Sequence, residues 1–98
     1  MIDIIYGNSE LKSLMLEGKS TLYKEIVKKR GFLKSLRAFL LVLKVLRNTK
    51  DLLLYEQYGY KSNVKVSYVL IASANIERKL LFTEQEQGTR IVINDLIK

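Results

Sequence analysis

The spacing of apolar positions changes once along the chain. From Leu11 to Leu46 they recur at helical intervals, and from Val64 onward they alternate. Ile2–Tyr6 precedes both regimes and reads as a first strand, apolar, β-branched and ended by Gly7-Asn8. Asn8 or Ser9 can cap a helix running through about Leu16, with Leu11, Leu14 and Met15 as its apolar face and Gly18 as its stop. Ser20–Arg30 is expected to form a second helix. Leu22, Tyr23, Ile26 and Val27 make its inner face, and Lys24, Lys28, Lys29 and Arg30 bring cations toward its C-terminal end before a break at Gly31.

The strongest helical pattern is Phe32–Asn48. Phe32, Leu36, Phe39, Leu43 and Leu46 share one face, while Lys34, Arg37, Lys44 and Arg47 lie opposite. Leu40, Leu41 and Val45 fall among those cations. Such an apolar patch in a basic stripe is covered either by a protein partner or by another helix of the same chain. Asn48–Asn63 connects the two halves and carries Tyr55, Tyr58 and Tyr60. Three strands are then predicted. Val64–Leu70 is read with Val64, Val66, Tyr68 and Leu70 inward and Lys65, Ser67 and Val69 outward. After a small-residue turn at Ala72–Asn75, Ile76–Glu84 sets Ile76, Arg78, Leu80 and Phe82 inward and Glu77, Lys79, Leu81 and Thr83 outward. A hairpin loop at Gln85–Thr89 leads to Arg90–Ile97, with Ile91 and Ile93 as core. The expected class is α+β in one domain: a small antiparallel sheet with an N-terminal strand, two to three helices, then a three-stranded meander.

Composition adds a partner class. The 98 residues carry 17 Lys and Arg against 10 Asp and Glu, a formal charge of +7. The excess is lopsided: residues 1–49 hold ten basic and four acidic side chains, residues 50–98 seven and six. A basic balance favours polyanions such as nucleic acid or the ribosome. The chain contains no cysteine and no histidine, so a disulfide framework and a zinc site are not expected, nor is a catalytic triad. No cofactor is expected either. Met1 leads directly into Ile2-Asp3-Ile4-Ile5, and the apolar run Phe39–Val45 is broken by Lys44 and too short for a bilayer, so a cytoplasmic protein without a membrane partner is the expectation.

Chemistry on a nucleic acid would fall to Lys, Arg, Tyr and carboxylates. Cleavage of RNA through its own 2′-OH needs a group that removes the 2′ proton, charge on the phosphate and a donor to the leaving 5′ oxygen. Lys65, Lys79 and Arg90 are the candidate catalytic residues if they cluster, and a lysine crowded by cations can serve as base. Arg78, Lys61, Tyr60, Lys98 and the run Lys28-Lys29-Arg30 are candidate RNA-binding residues. Tyr55, Tyr58 and Tyr60 stack on bases or pack with a surface hydroxyl, and Glu84 and Glu86 read as solvated loop carboxylates.

The order of elements, together with several words of sequence, resembles the RelE/ParE superfamily of toxins from bacterial type II toxin–antitoxin pairs. Leu16-Glu17-Gly18-Lys19-Ser20 followed by Tyr23-Lys24-Glu25-Ile26 is similar to the N-terminal segment of HigB-like members. Asp51-Leu52, Tyr55-Glu56, Val64-Lys65-Val66 and Leu80-Leu81-Phe82-Thr83-Glu84 are similar to their C-terminal half. The resemblance implies a RelE-like fold and a ribosome-dependent mRNA endonuclease, neutralised by a helix-turn-helix antitoxin of the HigA-like kind. It leaves the oligomeric state open. HigB-like members carry an Arg just before the Leu-Ile-Phe-Thr-Glu-like run. Anchored on Phe82-Thr83-Glu84, that position is Lys79, with Arg78 one place earlier.

The resemblance departs at the C-terminal end. HigB-like chains continue into a tail containing His-Tyr, whereas the sequence here runs to Asp95-Leu96-Ile97-Lys98 and has no histidine. Three expectations stay open: an mRNA endonuclease working without histidine, a non-catalytic inhibitor of DNA gyrase as implied by the ParE branch, or a decayed toxin that retains only antitoxin binding.

Overall fold

A computed structural model describes Met1–Lys98. The fold class is α+β. The first strand, β1 (Asp3–Tyr6), is followed by α1 (Ser9–Glu17), a single-turn helix α2 (Lys24–Val27) and the long α3 (Arg30–Val45). Two 3₁₀ turns, Thr49–Leu54 and Glu56–Tyr58, lead to the meander β2 (Ser67–Ser73), β3 (Ile76–Gln85) and β4 (Arg90–Ile97). The strand order is β1-β4-β3-β2. β2, β3 and β4 are antiparallel neighbours, but β1 joins β4 in parallel, so the sheet is mixed rather than wholly antiparallel. The helices between β1 and the meander provide the crossover that a parallel pair requires.

The helix boundaries have local causes. Asn8 is extended, and its Oδ1 accepts from the backbone N–H groups of Glu10 and Leu11 at 3.0 and 3.1 Å, which caps α1. Gly18, at φ 71°, ends that helix in the left-handed conformation that glycine tolerates. The expected helix over Ser20–Arg30 is mostly absent. Glu10 Oε1 accepts from the Ser20 and Thr21 hydroxyls and from the backbone N–H groups of Thr21 and Leu22, holding Ser20–Tyr23 as a turn. The Thr21 hydroxyl, then the Leu22 and Thr21 amides, pull the Glu10 carboxyl down to about 2. Only Lys24–Val27 remains helical.

In α3 the expected core positions Phe32, Leu36, Phe39 and Leu43 are buried, with Leu46 just past its end; Leu40, expected among the outer cations, is buried with them. They lie against the inner face of the sheet, where Val69, Ile71, Leu80, Phe82, Ile91 and Ile93 are buried. Leu11, Leu14 and Met15 of α1 complete the core. Its outer face is open: Leu41 and Val45 are 63% and 73% exposed, and no second helix covers them. No helix is long and apolar enough to cross a membrane.

The two faces of α3 predict opposite mutational outcomes. Leu36→Ala should cost about 2–5 kcal/mol, because it opens a cavity at a fully buried site. Leu41→Ala should stay within about 0.5 kcal/mol. Urea titration of both variants checks this, and equal losses would mean that the outer face of α3 is covered in solution.

Candidate nucleic-acid interface

The sheet has one face without helices. Alternation from the buried positions places Ile5 of β1, Tyr68 and Leu70 of β2, Lys79, Leu81 and Thr83 of β3, and Val92 of β4 on that open side. Lys79 Nζ lies over the Tyr68 ring, 4.9 Å from its centroid. This is within cation–π range and sets a cation beside a phenol. The Asn94 amide, at the irregularity where β4 slips one residue against β3, donates to Thr83 Oγ1 at 2.8 Å. The face is more apolar than a basic sheet surface: Lys79 stands among Leu70, Leu81 and Ile97.

β2 corrects the expected register. The strand begins at Ser67 rather than Val64, and its buried residues are Ser67, Val69 and Ile71. Val64 is wholly exposed, and Tyr68 and Leu70 face outward, reversing the expected faces. Ser67-Tyr68-Val69-Leu70-Ile71 is apolar on both faces, so hydrophobicity alone does not choose between two registers that differ by one residue. Lys65 therefore sits outside the strand, in the approach to β2. There it lines a shallow hollow with Lys50, Ser62 and Glu84.

The three candidate catalytic residues do not converge on one point. Arg90 opens β4 opposite Gln85, whereas Lys79 lies six residues further back along β3, roughly 20 Å at strand rise. Lys65 shares the Gln85 end of the sheet. Arg90 is also engaged: its Nε is 3.1 Å from Asp3 Oδ2 and its Nη1 3.9 Å from Glu86 Oε1.

The RNA-binding candidates scatter over both layers. Lys61 forms an isolated bridge with Tyr68 through two backbone hydrogen bonds of 3.0 Å and leaves its side chain exposed. Tyr60 is a packing residue, not a free base-stacking platform. Its ring stacks on Phe82, 6.2 Å and 8° between the rings, and its hydroxyl donates to Glu84 Oε2 at 2.7 Å. Burial is the largest cause that pushes its hydroxyl pKa up. Lys28 caps the end of α2, but Arg30 is the first residue of α3 and Lys29 its N-cap, without a side-chain cap and without an acid in the first turn. These two cations thus stand at the positive end of the long helix rather than at a favourable C-terminal end. Arg78 follows the inner-face alternation, and with Lys29 and Lys98 it lies toward the helix layer.

Glu84, read from sequence as a solvated carboxylate, organises the loop beside β2. Its Oε1 accepts from the Thr49 hydroxyl, and its Oε2 from Ser67, Tyr60 and Ser62, the last two at 2.7 and 3.0 Å. Thr49 and Ser67 are the two buried polar residues of the chain. Burial alone pushes the Glu84 carboxyl up, but the Ser67, Thr49, Tyr60 and Ser62 hydroxyls outweigh it and hold the group below its ordinary value. The donors lie 17 to 35 residues away along the chain, so the sequence around Glu84 carries no local signal of the cluster.

The chemistry available is narrow. Among groups with a shifted pKa, Glu10 and Glu84 move down and Tyr6, Tyr23, Tyr58 and Tyr60 move up, so none moves toward neutrality. No three Asp or Glu side chains come together in a way that would hold a metal ion. No family model, no curated protein and no solved structure matches the chain.

The Glu84 cluster has a defined pH signature. Its folded pKa is depressed, so its contribution is present above the unfolded value and is lost as pH falls through the folded value, in the acid range below about pH 4.5. Glu84→Gln should cost roughly 1–3 kcal/mol at pH 7 by replacing a charged acceptor with a neutral amide. It should also flatten the dependence of stability on pH in that acid range. Urea midpoints measured from pH 7 to pH 3 test both, and an unchanged acid limb in the variant would refute the assignment.

Proposed function

We propose that this chain is a toxin of the HigB-like kind that acts on translated mRNA at the ribosome, holding RNA phosphates with its basic side chains. The observation that carries the reading is the unspent charge. Of 17 Lys and Arg side chains, Arg90 alone lies within 4.0 Å of a carboxylate. Free cations on a folded basic domain attract a polyanion at long range and bind it with strong salt dependence. The strand, helices and three-stranded meander have the order that the HigB-like resemblance requires, which also supports the reading.

The geometry divides the candidate roles. Lys79, free of carboxylates and beside the Tyr68 phenol, is the residue assigned to the scissile phosphate. Lys65 and Arg90, at the other end of the sheet, are assigned to the strand that flanks it. In the reaction the 2′ oxygen attacks phosphorus as its proton passes to solvent water, the P–O5′ bond breaks, and the departing 5′ oxygen takes up a proton from a neighbouring donor. Lys79 stabilises the phosphate charge in that step, and the Tyr68 phenol, whose ring lies under Lys79 Nζ, is assigned as the proton donor. A HigA-like antitoxin fits the outer face of α3, where Leu41 and Val45 offer an apolar contact among Lys34, Arg37 and Lys44.

A second reading has its own support. The candidate residues lie apart, and no shifted group titrates toward neutrality, which favours binding without cutting, whether toward gyrase or toward an antitoxin alone.

Primer extension on mRNA from a purified translation reaction separates the two. The expected result is discrete cuts at codons in the ribosomal A site, reduced at least about tenfold by Lys79→Ala. The variant's stability should stay within about 1 kcal/mol of the parent, the scale of the cation–π contact that half-buried Lys79 loses with Tyr68. Intact mRNA with folded protein present would sink the endonuclease reading, and a parallel DNA supercoiling assay would then test the gyrase alternative.

A further inference from the structure

The geometry points to a phosphate-binding cleft on the helix side of the sheet, centred on Arg78 and remote from the open face. It stands on its own geometry and does not depend on the toxin reading. Arg78 pairs in register with the fully buried Ile71 and lies two residues before the buried Leu80, so alternation sends its stem toward the core. A long cationic side chain in that position lays its methylenes over apolar surface and delivers its head to the edge. The head emerges between two adjoining hollows. One, of ≈ 440 Å³, is lined by Arg78 with Lys29, Phe32, Ser73 and Asn75. The other, of ≈ 530 Å³, is lined by Arg78 with Lys24, Ile26 and Lys98.

Four cations from three separate parts of the chain therefore border one groove, and none has a carboxylate within 4.0 Å. The one acidic side chain lining the two hollows is Glu25. Arg78 makes one hydrogen bond within the protein, from Nη1 to the Glu77 carbonyl at 2.9 Å, which leaves most of its five donors unused. Like charges gathered around a half-buried guanidinium repel one another, and an anion seated between them relieves that repulsion. The planar fork of Arg78 suits two oxygens of one phosphate, with the lysines as point charges around it. Ser73 and Asn75 add neutral donors to the first hollow. The ligand class is a phosphate-bearing anion, supplied either by a free polyphosphate or by the backbone of a single-stranded RNA.

The test is a titration of the full chain, followed by ¹H–¹⁵N spectra, first with inorganic pyrophosphate and then with a short oligouridylate at the same ionic strength. Saturable shifts are expected at the Arg78 Nε–Hε and at the amides of Lys29, Gly31, Ser73 and Asn75. Arg78→Gln should weaken binding about tenfold, as expected for the loss of charge-assisted hydrogen bonds. Lys29→Gln, at an exposed position that leaves the fold intact, should weaken it severalfold, and Lys12→Gln, at an exposed position of α1 outside both hollows, should leave it unchanged. Tighter binding of the oligouridylate to the same residues identifies a nucleic-acid strand as the source. Saturation by pyrophosphate alone identifies a free polyphosphate. Shifts that grow without saturation, or that spread evenly over α3, overturn the proposal, as does equal binding by the Lys29 and Lys12 variants.

Discussion

Everything in this molecule follows from one helix covering one sheet. The inner residues of α3, from Phe32 to Leu43, meet the inward side chains of β2, β3 and β4, and that contact makes up most of the core. A domain of 98 residues has few other ways to bury apolar area. With a single covering layer, the second face of the sheet and the second face of α3 are both left to solvent. The open sheet face and the outer stripe of α3 are thus consequences of packing before they are sites. The two-layer arrangement also creates a seam where helix layer and sheet end meet, and the Arg78 groove lies along it.

Two carboxylates hold the parts that this core does not reach. Glu10 gathers the turn before α2, and Glu84 gathers the loop before β2. Each works by staying ionised and accepting several hydrogen bonds at once, which is why their pKa values fall while the tyrosines that lose solvent rise. Tyr23 shows the opposite case. Burial first, then its hydrogen bond to Asp95, raises its hydroxyl to about 12, and the bond ties the helix layer to the last strand. Groups used in this way are set for anchoring, and they stand far from the protonation balance that a general base needs near neutral pH.

What the sequence made legible was decided by contrast between faces. α3 was readable because its inner positions are large and apolar and most of its outer positions charged. β3 was readable because Leu80 and Phe82 alternate with Lys79 and Thr83. β2 was misread because Tyr68 and Leu70 are as apolar as Val69 and Ile71, and the deciding partner of Ser67 is a carboxylate on another strand. The short α2 was misread for a related reason: helical spacing persists through Ser20–Tyr23, but Glu10, ten or more residues away, captures the backbone N–H groups that would begin the helix. Local period says which residues can share a face. Long-range polar contacts say whether they do.

The same sensitivity to single-residue register governs the charge. Arg78 and Lys79 are adjacent, yet strand alternation sends one to the helix-side groove and the other to the open face beside Tyr68. The position that carries Arg in HigB-like sequences falls on Lys79, and the guanidinium here stands one place earlier. A shift of one residue along a strand is small in sequence and complete in space. It leaves the open face with the point charge of Lys79 and gives the bidentate fork of Arg78 to the helix-side groove. The net charge of +7 belongs to the whole chain, but the side of the sheet on which each cation emerges decides which other groups it stands beside.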